Sequence, residues 1–266
     1  MLSVETEKKL AELFYETMVG EKLIEEARFN LSRHKDFELN CVFKELDRIG
    51  MGSISGSDLK YFLDKNNIIC TLDESYAIVH HYDTNSDGRL SINEFSYLIL
   101  PNMLPIVKDT RSNFPRLSID AEYLLTRVLE NEVRLQRTLE KIRKCLIERG
   151  DFNLMEGFRC LDRRNYTRID FTAFYIFLRR NDFFCVEMDM QHIINRVDMD
   201  RDGIVNYVEF VEAVLPKEPH ARTRSPPKII RNSSPLKRSL NGKNYPNTRD
   251  VCMSSDGFMN NRRLVN

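Results

Sequence analysis

Tryptophan is absent from the 266-residue sequence, and glycine occurs only ten times. Glycine favours the tight turns that join short strands, so its scarcity disfavours an all-β fold. No apolar run approaches the roughly 18 residues of a membrane-spanning helix, and the charged segment MLSVETEKKL is unlike a secretory signal. The six cysteines form no C-x-x-C pair, so we expect reduced thiols and a cytoplasmic location.

The chain has no excess of one charge, since 40 Lys and Arg balance 40 Asp and Glu. This balance argues against a general nucleic-acid binder. The charges are unevenly placed, however, because residues 217–266 hold 11 basic and 3 acidic residues together with five of the nine prolines. We expect this segment to be a basic tail that stays disordered unless a partner orders it.

The sequence repeats itself after a shift of 115 residues, without a gap. Residues 2–101 recur as 117–216, and the shift superimposes Asp83 on Asp198 and Leu100-Pro101 on Leu215-Pro216. A fixed period of this kind indicates that one structural unit has been duplicated.

Each unit begins with a stretch that predicts a long helix. In the second unit, eight positions spaced alternately by four and three residues form a stripe: Ala121, Leu125, Val128, Glu132, Leu135, Leu139, Ile142 and Leu146. Seven of the eight are apolar, against five at the equivalent positions of the first unit. The pattern leaves two alternatives: each helix packs on its own lobe, or it forms a coiled-coil contact with a partner or between the units.

The strongest chemical pattern lies between Asp83 and Glu94. Its oxygen donors are the side chains of Asp83, Asn85 and Asp87, the carbonyl of Arg89, a water held by Ser91, and both oxygens of Glu94. Gly88 permits the sharp bend between them. Calcium prefers six to eight oxygen ligands on such a flexible frame, so the loop predicts a Ca²⁺ site.

The same pattern recurs between Asp198 and Glu209. The predicted ligands are Asp198, Asp200, Asp202, the carbonyl of Ile204, Asn206 and Glu209. We therefore predict two Ca²⁺ sites, for which Mg²⁺ can compete. This second loop has four carboxylates and the first has three, so we expect the second site to be the tighter.

Each complete loop has a sister 36 residues upstream that has lost its donors. In loop 47–58, Ile49 and Met51 replace oxygen ligands. In loop 162–173, Arg164 and Tyr166 do the same, and Ala173 replaces the last carboxylate. We expect neither sister loop to bind an ion.

With these loops, the chain resembles the EF-hand calcium-binding superfamily, in which such loops join pairs of helices. The resemblance implies an all-α fold of two EF-hand pairs, with four helix-loop-helix units of which two are degenerate. A looser likeness is to EF-hand proteins of protist cilia and flagella. The expected segments are a long helix (1–35), pair 1 (36–101), a connector (102–117), a second long helix (118–150), pair 2 (151–216) and the basic tail (217–266).

No catalytic motif accompanies these loops, so we expect a non-enzymatic calcium-binding protein. Its expected role is that of a regulatory or structural adaptor in a cytoskeletal assembly, such as a ciliary or flagellar axoneme. The expected partner is an acidic protein surface such as that of microtubules, with no specific nucleic acid and no membrane span. The alternative is a free cytosolic calcium sensor or a regulatory subunit of an enzyme. Ser225 and Ser234 lie in Ser-Pro-x-Lys patterns, and their phosphorylation is left open.

Overall fold

The computed structural model describes residues 2–102 and 117–217, which lie in one compact unit. The predicted connector (102–117) and tail (217–266) fall outside these ranges except for their end residues, as do Ser225 and Ser234. The described residues form α1 (Val4–Ser32), α2 (Leu39–Leu46), α3 (Gly56–Lys65), α4 (Leu72–Tyr82), α5 (Ile92–Ile99), α6 (Ile119–Ile147), α7 (Leu154–Leu161), α8 (Phe171–Arg180), α9 (Met190–Val197) and α10 (Tyr207–Val214). The predicted all-α fold is confirmed. Among the described helices, none is both long and apolar enough to cross a bilayer.

Side-chain caps fix where the helices begin. Ser3 accepts a hydrogen bond from the Thr6 N–H at the start of α1, and Ser118 does the same for Ala121 at the start of α6. At the loop exits, Ser91 and Glu94 form a reciprocal capping box. Such boxes satisfy backbone donors that a helix end would leave exposed. The residues that end each calcium loop therefore also begin the next helix.

Within each pair, the two loops are joined by a short antiparallel bridge. Ile54 and Leu90 exchange N–H···O bonds of 2.9 and 2.7 Å, and Ile169 and Val205 exchange two of 2.8 Å. Each complete loop is thus tied to its degenerate sister. We call residues 36–101 lobe 1 and residues 151–216 lobe 2.

The two long helices pack side by side in opposite directions and are exchanged between the lobes. The first half of α1 enters the core of lobe 2, while Leu31 at its end packs in lobe 1. The first half of α6 enters the core of lobe 1, and its second half packs in lobe 2. Each long helix therefore packs both on its own lobe and on that of the other unit. A coiled coil, with a partner or between the units, stays a prediction.

The two units are related by pseudo-twofold symmetry, in which each residue of the first unit is equivalent to the residue 115 positions later. Lys65 of lobe 1 pairs with Glu122 of α6 at 2.8 Å, and the equivalent Arg180 of lobe 2 pairs with Glu7 of α1. Where α1 and α6 cross, Gly20 of α1 faces its own equivalent, Leu135 of α6. The missing side chain of Gly20 makes room for that leucine.

Candidate metal centre

All four loops follow one backbone path. Their fourth and sixth residues have positive φ, with values of 60° and 78° at Ser86 and Gly88 and of 63° and 84° at Arg201 and Gly203. The degenerate loops keep the same turns, and Thr167 takes φ 60° where a glycine would be unstrained. The sister loops therefore retain the frame of a calcium loop without its ligands.

In loop 198–209, three carboxylates converge on one point. One oxygen from each of Asp198, Asp200 and Asp202 lies within 4.8 Å of the other two. Calcium binds oxygen at 2.3–2.6 Å, so one ion can touch all three. Their backbone bonds hold this arrangement, since Asp198 Oδ2 accepts from the Gly203 N–H at 2.8 Å.

Glu209 faces the same loop from the first turn of α10. Its Oε1 accepts from the Met199 N–H at 2.8 Å and its Oε2 from the Asn206 N–H at 2.9 Å. Burial and the nearby negative charges of Glu209 and Asp202 raise the pKa of Asp198, although N–H donors from Gly203 and Arg201 oppose the rise. Excess negative charge in a partly buried loop is relieved by a cation. The donor set therefore fits Ca²⁺.

Loop 83–94 repeats these hydrogen bonds with one carboxylate fewer. Asp83 Oδ2 accepts from the Gly88 N–H at 2.7 Å, and Asn85 Oδ1 accepts from the Asp87 N–H at 2.9 Å. Glu94 accepts four hydrogen bonds, two from Thr84 and two from Ser91. Burial alone would raise the pKa of Glu94, but these bonds outweigh it and lower the pKa.

The other predicted ligand positions lie in the same loops. Arg89 and Ile204 donate their N–H groups to Asp87 and Asp202, at 2.8 Å each. Ser91 and Asn206 act as helix caps, and the Asn206 side chain accepts from the Glu209 N–H at 3.1 Å. Among the described residues, the convergence of three carboxylates is seen for Asp198, Asp200 and Asp202. The full ligand set of each loop stays a prediction, and the ninth residue of each loop also caps the following helix.

In each degenerate loop, the acidic residue at the first position has a structural role. Asp47 accepts from the N–H groups of Met51 and Gly52 at 2.9 and 2.7 Å. Asp162 likewise accepts from Tyr166 and Thr167 at 2.8 and 2.7 Å. These carboxylates hold the turn, a role that requires no ion.

The side chain of Arg89 performs a task that sequence reasoning missed. Its guanidinium donates to the Ser53 carbonyl at 2.8 Å and lies 3.7 Å from the Asp58 carboxylate. Ser53 and Asp58 are the seventh and twelfth residues of loop 47–58, where a working loop supplies ligands. The guanidinium of Arg89, which belongs to the complete loop, therefore offsets the negative charge of Asp58 in the degenerate loop.

A second missed group is a buried network, the central ionic cluster, which lies where the long helices meet α4 and α9. Its members are Glu21, Arg28, Tyr82, Glu132 and Arg196. Glu132 binds Arg196 through both oxygens, at 2.9 and 2.8 Å. Tyr82 immediately precedes Asp83, and Arg196 lies two residues before Asp198. The cluster thus joins the helices that lead into both complete loops. In the sequence, the one feature that could have revealed this cluster is Glu132, the polar residue in the otherwise apolar stripe of α6.

Comparison with known families supports this geometry. The EF-hand domain pair matches residues 36–100, and a second EF-hand domain pair matches residues 167–215. The second match begins inside the degenerate loop 162–173, which is consistent with that loop's lost ligands.

The curated relatives are plant proteins. Polcalcin Jun o 2 of Juniperus oxycedrus is 38% identical over 66 residues, which is 25% of this chain and 40% of that protein. Calcium-binding allergen Ole e 8 of Olea europaea is 24% identical over 72% of this chain and 89% of its own length. Calmodulin-like protein 2 of Arabidopsis thaliana is 25% identical over 65% and 88%. The chain thus aligns with less than half of the polcalcin but with most of the other two.

Two matched domain pairs, four loops of one backbone path and these relatives place the chain in the EF-hand calcium-binding superfamily.

Proposed function

We propose that this protein is a non-enzymatic calcium-binding adaptor that holds one Ca²⁺ in each complete loop. Mg²⁺ competes for the same oxygen donors. The observation that carries the adaptor role is the filling of both lobes by the chain's own long helices. Bound calcium then stabilises lobes whose apolar interiors stay filled, and partners bind to the outer surface of the protein.

In EF-hand sensors, calcium opens a lobe and exposes a groove that accepts an amphipathic target helix. In lobe 2 the first half of α1 already takes such a place. The ring of Phe14 lies 5.0 Å from that of Phe174 and 6.1 Å from that of Phe210, between ring centroids. Leu10 and Leu13 are buried beside it.

Lobe 1 is filled in the same way by α6, through Leu125, Val128 and Leu129. A helix on the same chain acts at a high effective concentration, so an external helix must displace it before it can bind. We therefore expect calcium to leave the apolar interior of the lobes covered.

Calorimetric titration of the metal-free full chain with calcium, read beside a hydrophobic dye, tests this proposal. We expect about two ions per chain, in a sensor-like range of ~10⁻⁷ to 10⁻⁵ M, and little calcium-dependent dye fluorescence. Four ions, or none, would contradict the site assignment.

Two matched variants of α1 serve as controls for the dye fluorescence. Phe14→Asp should loosen α1 from lobe 2 and produce dye binding, whereas Phe29→Asp alters a side chain that is 41% exposed and should not. A strong calcium-dependent signal from the unaltered protein would favour the alternative, a free sensor or a regulatory subunit of an enzyme.

The finer proposal of a cytoskeletal partner depends on the basic segment 217–266, which lies outside the described residues apart from its first residue. Its support is charge alone, 11 basic against 3 acidic residues, which suits an acidic filament such as a microtubule. Deleting 217–266 should leave calcium binding unchanged and reduce salt-sensitive co-sedimentation with microtubules. Equal co-sedimentation of the two forms would remove the argument for this partner and for a ciliary location.

A further inference from the structure

The central ionic cluster has a counterpart on the other side of the pseudo-twofold. The 115-residue shift equates Arg28 with Arg143, and both are buried. Each arginine is anchored in the same way. Arg28 Nε donates to the Leu98 carbonyl at 2.9 Å, and Arg143 Nε donates to the equivalent carbonyl of Ala213 at 2.8 Å.

The residues around the two arginines differ in charge and size. In the central ionic cluster, Arg28 donates to Glu21 at 2.7 Å and to Glu132 at 3.3 Å. The counterpart has no carboxylate at these places, and three of the four replacements are smaller residues. The substitutions are Gln136 for Glu21, Thr17 for Glu132, Val197 for Tyr82 and His81 for Arg196.

These smaller residues leave a cavity of about 40 Å³ beside Arg143. The side chain of Arg143 is 8% exposed, and its buried Nη1 donates no hydrogen bond to any described residue. Burial lowers the pKa of Arg143 to about 10, so the guanidinium is still charged at neutral pH. A buried charged donor without an acceptor is costly unless something in the cavity satisfies it.

The charges that face the cavity do not balance that guanidinium. Among the described residues, its nearest carboxylate is Glu140, at 4.0 Å, and Glu140 is shared with Lys144 at 3.4 Å. Lys217, which also lines the cavity, pairs with Glu212. Among the described residues around the cavity, one positive charge is therefore left without a negative partner.

The other charged lining groups are engaged elsewhere. Arg196 is paired with Glu132 and Glu21 of the central ionic cluster. Glu209 turns both oxygens to N–H groups of its own loop, and a bound Ca²⁺ would neutralise its charge.

We propose that this cavity binds a small monovalent anion of the size of chloride, held by the guanidinium of Arg143 and the side-chain amide of Gln136. The anion takes the place that the Glu21 and Glu132 carboxylates occupy in the central ionic cluster. A water needs roughly 10–15 Å³ of such space, so the cavity of about 40 Å³ has room for one halide together with about one or two waters. A divalent oxyanion would bring one charge too many. This inference does not depend on the proposed function.

The test compares the melting temperature of the calcium-saturated full chain in sodium chloride and in sodium gluconate at equal ionic strength. Gluconate is too large to enter. A ligand that binds only the folded state raises its stability, so chloride should raise the melting temperature by about 3 °C. Equal melting temperatures in the two salts would overturn the proposal.

The decisive variant is Gln136→Glu, which supplies the carboxylate that Glu21 provides in the central ionic cluster. It should melt in gluconate as high as the parent in chloride and should lose the chloride dependence. Gln191→Glu adds the same charge on α9, outside the lining residues, and should keep the dependence. If Gln136→Glu keeps it as well, the chloride effect arises elsewhere and the assignment is wrong.

Crystals of the full chain soaked in bromide give a direct answer, since bromide scatters anomalously. An anomalous peak within hydrogen-bond reach of Arg143 Nη1 supports the site. Bromide only at the surface, with water in the cavity, refutes it.

Discussion

Neutralising Glu132 tests how far the central ionic cluster stabilises the fold. Glu132 is fully buried, and its Oε2 lies 2.8 Å from Arg196 Nη2. Its Oε1 lies 3.3 Å from Arg28 Nη2. The substitution Glu132→Gln keeps the volume of the side chain and removes its charge. In this variant, Glu21 is left as the one fully buried carboxylate between two guanidinium groups.

The expected loss follows from burial. Burial alone would raise the pKa of Glu132, but the charges of Arg196 and Arg28 outweigh it and lower the pKa. The carboxylate is therefore ionised at neutral pH. Breaking a buried pair from one side leaves an uncompensated charge and costs about 3–5 kcal/mol. A typical domain is stable by only about 5–15 kcal/mol, so the variant should lose a large fraction of its stability.

Urea unfolding of the calcium-saturated protein measures this loss. The matched control is Glu130→Gln on the same helix, because Glu130 pairs with the exposed Arg127 and Arg134. Exposed pairs contribute less than about 1 kcal/mol. If both variants unfold at the same urea concentration, the buried cluster contributes no more than a surface pair and the reasoning fails.

Three further predictions concern the loops, pH and the helix crossing. In calcium titrations, Glu209→Gln should remove the tighter binding phase and Glu94→Gln the weaker; the reverse order would contradict the ranking by carboxylate count. A hydrogen bond from Arg137 lowers the pKa of Glu74 to about 2, well below the usual range of a glutamate. The pair therefore stabilises the fold above the ordinary carboxyl range and loses this effect as pH falls toward 2. Glu74→Gln should accordingly be less stable than the parent at about pH 6 and equally stable at about pH 2. An equal loss of stability at both pH values would contradict this prediction. Gly20→Leu should destabilise the protein by about 1–3 kcal/mol in urea unfolding, since even a Cβ would lie 2.4 Å from the facing leucine of α6; an unchanged midpoint would refute the close packing.

The loops and the fold class could be predicted from the sequence because their rules are local. A calcium loop places its ligands at fixed spacings within twelve residues, so Asp83 through Glu94 can be identified without knowing what surrounds them. The same holds for caps such as Ser118, which depend on residues three positions away. The family resemblance and the all-α fold followed from these local patterns and are confirmed.

The exchange of the long helices could not be predicted in the same way. A heptad stripe shows that one face is buried and does not name the surface that buries it. Glu132 is the one polar residue of the stripe, but no inference was drawn from it, because its partners Arg28 and Arg196 lie in distant segments with no pattern linking them. The guanidinium of Arg89 was likewise assigned no role, because its contact with Ser53 crosses between two loops.

The pseudo-twofold also explains why the two units could not stay identical. Near the axis a residue meets its own equivalent, so a large side chain in both copies would collide; Gly20 faces Leu135 for this reason. Away from the axis, each arginine site takes residues from both units, and the 115-residue shift exchanges those roles. Carboxylates at Glu21 and Glu132 complete the site of Arg28, whereas the equivalent positions at the site of Arg143 carry no charge. Divergence after duplication was therefore required at the crossing, and at the second arginine it produced a cavity with a charge still to be balanced.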